Sequence, residues 1–153
     1  AGFEADETAT ASVSEGDAGA ARMTLDRKQI VTMQPHTAGG LLVKQIVSAA
    51  TTNLPQAKGT AGQVYGAFCS NVNAAARYLK IYNAASASVT VGTTVPDLTL
   101  IIPGNTAGAG FTISLPPGFE CSTGISFALT TEATDAGATA VAASEIVVNL
   151  FYK

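Results

Sequence analysis

The sequence predicts an all-β fold: a jelly-roll or Greek-key β-sandwich over residues 40–153, preceded by an extended N-terminal arm over residues 1–39. Three observations carry that expectation. From Gly40 onward, short alternating or apolar runs recur between turns rich in Gly, Pro, Asn and Thr. No amphipathic pattern of helical length follows residue 60. The two ends also differ sharply. The first seventeen residues hold five acids, no base and almost no bulky apolar side chain, whereas Ile146-Val147-Val148-Asn149-Leu150-Phe151-Tyr152 is apolar almost to the end. A chain that closes on a core strand is expected to reach outward from its other end.

Taken in order, residues 1 to about 21 combine acids with small residues and finish on the turn signal Gly16-Asp17-Ala18-Gly19, the profile of a segment that waits for a partner to order it. Arg22 to Val31 changes character: Met23 and Leu25 alternate with Thr24 and Asp26, and Ile30-Val31 follows, which predicts an extended strand. Pro35 to Gly40 marks the boundary between arm and domain. Leu41 to Val47 reads as a strand or one short helix, since its periodicity fits both. Gln63 to Val72 is a strand ending in a turn near Asn73. Arg77 to Tyr82 alternates strictly, with Tyr78, Lys80 and Tyr82 on one face and Leu79 and Ile81 on the other. Leu98 to Ile102 lies between Pro96 and Pro103-Gly104. Phe111 to Leu115 alternates and is expected to stop at Pro116-Pro117-Gly118. Gly124 to Thr131 and Glu145 to Tyr152 complete a set of seven or eight strands. The long connections at residues 83–96 and 131–144 favour Greek-key or jelly-roll topology over a meander.

Composition narrows the function. Charged residues make up 12% of the chain and hydrophobic residues 47%, so the surface is expected to be neutral and coated with hydroxyls. A net charge of -3 offers no general attraction for nucleic acid or acidic membranes. No apolar run approaches the ~18 residues that cross a bilayer. The acidic start does not resemble a signal peptide, so export by the usual route is not expected. Cys69 and Cys121 stand in apolar strand contexts and read as free, buried thiols, with a disulfide between neighbouring strands as the alternative; CxxC spacing is missing.

Catalytic inventories come up short, and no enzyme, cofactor or metal is expected. The single histidine, His36, sits in a Pro-Gly turn at the arm boundary. G-x-S-x-G, P-loop and dinucleotide fingerprints are all missing. Gly104 to Gly110 is glycine-rich, yet it joins two strands and no helix N-terminus follows to hold a phosphate. Glu132 and Asp135 share a loop that otherwise offers Ala, Thr and Gly, which reads as solvated acids rather than a cation or sugar-cleaving site. Arg77 to Tyr82 mixes bases with aromatics, but two bases in an acidic protein fit a covered sheet face better than nucleic-acid stacking.

Two stretches carry a family resemblance. Gly16 to Val31 resembles a short N-terminal motif of tailed-bacteriophage structural proteins. Ala76 to Asn83, continued through Val91 to Pro96, Ser122 to Ser126 and Val147 to Tyr152, is similar to a β domain that recurs in phage virion proteins, capsid decoration (cement) proteins among them. The resemblance implies a non-enzymatic virion protein on the outer capsid surface, made in the host cytoplasm. Its implied partners are the major capsid protein and further copies of itself, as a trimer, with neither nucleic acid nor membrane. In that setting Met23, Leu25, Ile30 and Val31 would supply apolar anchors, while Arg22, Arg27 and Lys28 would pair with acids on the shell. The alternative is a tail-fibre or receptor-binding module that recognises host glycans through its long loops.

Overall fold

A computed structural model describes residues 40–153, which form eight strands: β1 (Leu42–Val47), β2 (Gln56–Lys58), β3 (Gly62–Asn71), β4 (Arg77–Tyr82), β5 (Leu98–Ile102), β6 (Ala109–Cys121), β7 (Ile125–Thr130) and β8 (Ile146–Tyr152). They make two four-stranded antiparallel sheets, in the orders β1-β8-β3-β6 and β2-β7-β4-β5. The expected arm, residues 1–39, lies outside the described residues.

The pairing follows one rule. The first strand pairs with the last, β2 with β7, β3 with β6, and β4 with β5. Only the β4–β5 connection stays within one sheet; every other connection crosses to the opposite sheet. The result is sandwich-like, with one apolar core fed from both sheets: Val64, Cys69, Val148 and Leu150 from one, and Leu79, Ile81, Phe127 and Leu129 from the other. These residues follow the two-residue period of their strands, which is why alternation in the sequence finds them.

Three expectations change. Leu41 to Val47 resolves as a strand because its partner is β8, in register from Leu42–Tyr152 to Val47–Val147. A three-residue strand at Gln56–Lys58 was not anticipated; it is short, half polar and fixed only by its pairing with β7. Pro116-Pro117-Gly118 does not end its strand. β6 runs on to Cys121, bulging where Leu115 to Gly118 stand opposite Tyr65 alone, and re-pairs at Phe119–Val64. Gly118 takes φ +114° in that bulge, a conformation that an L side chain rarely adopts.

The second sheet has a further layer outside it. Every residue of β7 is buried, including the outward-facing Ser126, Ala128 and Thr130. Segment 51–55 runs beside β7 at the sheet edge, where the Leu129 and Phe127 amides donate to the Thr52 and Pro55 carbonyls at 2.7 and 3.2 Å, and its Leu54 packs against Tyr82 and Ala128. Residues 83–97 fold over part of this face, placing Val89 and Val91 against Tyr82 and Ala128. This loop is closed at its base by Asp97, whose carboxylate accepts from the Asn83 amide at 2.7 Å. Loop 131–144 meets it closely: a Cβ on Gly92 would lie 2.9 Å from the Ala138 Cβ. Phe127→Ala, in the shared core, is therefore expected to lower the unfolding free energy by about 3–5 kcal/mol in urea titration; a loss below 1 kcal/mol contradicts this packing.

Candidate functional site

The residues expected to grip a partner, Arg22, Met23, Leu25, Arg27, Lys28, Ile30 and Val31, lie outside the described residues, as does His36. Two polar clusters within residues 40–153 are built around buried charged side chains, Glu145 and Lys80.

The first is a clasp around Glu145, the residue before β8. Its carboxylate is almost fully buried and holds four donors: Arg77 Nε at 2.7 Å, Arg77 Nη2 at 3.3 Å, Asn73 Nδ2 at 2.6 Å and the Ala142 amide at 2.9 Å. Arg77 opens β4 in the second sheet, so this ion pair spans the sandwich. Asn73 is aimed by the turn that ends β3, where its amide donates to Asn71 Oδ1 at 2.8 Å. Beneath the clasp, Ser48 Oγ donates to the Ala142 carbonyl at 2.8 Å and accepts from the Glu145 and Ile146 amides, both at 3.1 Å. Burial alone would raise the Glu145 carboxyl, but the hydrogen bonds from Arg77, Ala142 and Asn73 outweigh it and hold the group below its ordinary value.

The second is a lysine under a loop. Lys80 is fully buried on the outer side of the second sheet, where its Nζ donates to the carbonyls of Thr134 and Gly137 at 2.6 and 2.7 Å. Burial lowers its affinity for a proton, and the nearby Asp135 and Glu132 partly restore it. Glu132 is itself engaged. Thr139 donates to it through both its hydroxyl and its amide, which lowers the Glu132 carboxyl. Beside Lys80, the Tyr82 hydroxyl is buried with no hydrogen-bond partner among the described residues, and burial raises it first, Asp135 second. The face that the sequence assigned to covering Tyr and Lys stems is thus itself covered. Over Lys80 the cover comes from residues 131–144, some fifty positions away, a distance at which local periodicity carries no signal.

The hydrogen bonds of Glu145, Lys80 and Glu132 run to backbone and to neighbouring side chains. Cys69 and Cys121 are free and buried, with burial pushing their thiols up to about 12 and about 11, far from thiolate chemistry. No group of three or more His, Cys, Asp or Glu converges among the described residues. The glycine-rich stretch is a turn: the Gly108 amide donates to the Asn105 carbonyl at 2.8 Å, and Asn105 Oδ1 accepts from the Ala107 amide. No helix among the described residues is long and apolar enough to cross a membrane.

Two expectations follow. Because Glu145 binds its proton less readily when folded than when unfolded, its contribution is complete at neutral pH and disappears as pH falls through the depressed value. Stability in urea titration should hold down to about pH 5 and drop below the ordinary carboxylate value of 4.5, and Glu145→Gln should flatten that drop; an unchanged profile assigns it elsewhere. Lys80→Ala leaves the two carbonyls unpaired, costing about 1–3 kcal/mol locally. Amides of residues 131–144 should then exchange about tenfold faster while those of β3 and β8 keep their protection.

The chain matches no protein-family model, no curated protein and no solved structure, so no family is assigned to it.

Proposed function

We propose that this chain is a non-enzymatic virion structural protein, a capsid decoration (cement) protein whose N-terminal arm clamps neighbouring capsid subunits while its β domain associates with further copies. The observation that carries the reading is the strand order. Pairing β1 with β8, β2 with β7, β3 with β6 and β4 with β5 is what an eight-stranded antiparallel ribbon gives when rolled into two sheets. That supports a jelly roll, an architecture common in viral capsids.

Two further observations agree with a binding role. Glu145 and Lys80, the buried ionisable groups of residues 40–153, are engaged in holding loops and sheets together. The arm offers apolar residues at Met23, Leu25, Ile30 and Val31 beside the bases Arg22, Arg27 and Lys28, a composition suited to lying along another protein. Many copies on one shell would make modest single contacts sufficient through avidity.

Jelly rolls also occur in lectins, and a fold alone does not choose between them. Against the glycan-binding alternative, loops 83–97 and 131–144 lie down on the second sheet and bury Tyr82 and Lys80, and the chain has no Trp to stack on a sugar. Removing residues 1–31 should leave a domain with unchanged circular dichroism that no longer joins shells in a co-sedimentation assay. Full occupancy by the truncated protein, or saturable glycan binding by it, overturns the proposal.

A further inference from the structure

We infer that β1 is a self-association edge: two copies pair their Leu42–Val47 strands antiparallel about Gln45, joining two four-stranded sheets into one continuous sheet. β1 ends its sheet, with β8 on one side and no strand on the other among the described residues. Its side chains alternate between faces, Leu42, Lys44 and Ile46 on the core side and Val43, Gln45 and Val47 on the outer side. A strand that is apolar on both faces has the composition of one buried on both. Yet Leu42, Val43 and Val47 are 52%, 51% and 57% exposed.

The other edges are protected against pairing in ways this one is not. β2 is three residues long with an irregular register, β5 lies between Pro96 and Pro103, and β6 carries the Pro116-Pro117 bulge. Short strands, prolines and bulges are how sheets discourage edge-to-edge contact. β1 keeps an unbroken register with β8, has no proline and carries one charge, Lys44.

That charge selects both occupant and register. When two copies pair about a twofold axis normal to the sheet, opposed residues share a face, so the axis must pass through a residue position. An axis at Lys44 would set ammonium against ammonium, which is unfavourable. An axis at Gln45 sets amide against amide, Val43 against the partner's Val47 on the outer face, and Lys44 against the partner's Ile46 on the core side. Apolar meets apolar on the outer face and no like charges face each other, so a second copy offers a matched neighbour to every residue from Val43 to Val47.

This contact closes at two copies and does not depend on the capsid reading or on the trimer that the resemblance implies. It is tested on the full chain. Gln45→Cys should form a covalent dimer under mild oxidation, since opposed Cβ atoms at about 4.5–5.5 Å are within a small adjustment of disulfide geometry. The native thiols are buried and should stay silent. Lys44→Cys should not cross-link. The double variant Val43→Lys with Val47→Lys opposes lysines in the dimer but leaves them solvated in the monomer, and should raise the dimer Kd about tenfold or more in sedimentation with unchanged circular dichroism. A wild-type monomer, a trimer without the Gln45→Cys cross-link, or cross-linking through Lys44→Cys instead overturns the inference, whether or not the protein decorates shells.

Discussion

The buried carboxylate of Glu145 is the constraint on which the rest of the domain depends. A carboxylate removed from water is very costly unless its oxygens are paired. Here the pairing draws on Arg77 from the opposite sheet, Asn73 from the turn after β3 and an amide from the crossover before β8. Arg77 and Asn73 stand 68 and 72 positions from Glu145 and meet it only when both sheets are in place. Because Glu145 is followed directly by β8, which lies between β1 and β3, fixing its position also fixes the first sheet against the second.

The two outer faces are then treated differently. Over the second sheet the chain lays its own long loops, pinned by Lys80 through two carbonyls and brought close together at Gly92. Among the described residues no loop is laid in the same way over the outer face of the first sheet, and its edge strand leaves Val43 and Val47 exposed. That edge strand, β1, carries a single charge, Lys44. The ionisable groups elsewhere are engaged within the domain: Glu145, Lys80 and Glu132 all hold backbone or neighbouring side chains, and both thiols are buried.

Most of the strand content was legible because alternation reports burial directly. Leu79 and Ile81, or Ile146, Val148 and Leu150, declare their inward face in the sequence and occupy it in the core. Pro116-Pro117-Gly118 misled because its turn chemistry is real, yet β6 itself carries the extra residues as a bulge opposite Tyr65 and the pairing resumes at Phe119. Gln56–Lys58 was too short and polar to register. Lys80 looked like a surface stem because its cover arrives from the loop near Thr134. Glu145 drew notice as the start of a strand, and Arg77 as a strand residue and a base beside aromatics. Their pairing spans 68 positions, and no local pattern encodes a contact at that range. The candidate anchors from Arg22 to Val31 rest on sequence alone, being outside the described residues.

A double-mutant cycle on Arg77→Ala and Glu145→Ala, read as unfolding free energy at neutral pH, tests the clasp most directly. If the pair joins the sheets as described, the two substitutions together cost less than the sum of their separate effects, with a coupling of about 1.5–3 kcal/mol. Additive losses, with coupling below about 0.5 kcal/mol, would mean that the sheets are held by their apolar core alone and that the clasp is incidental.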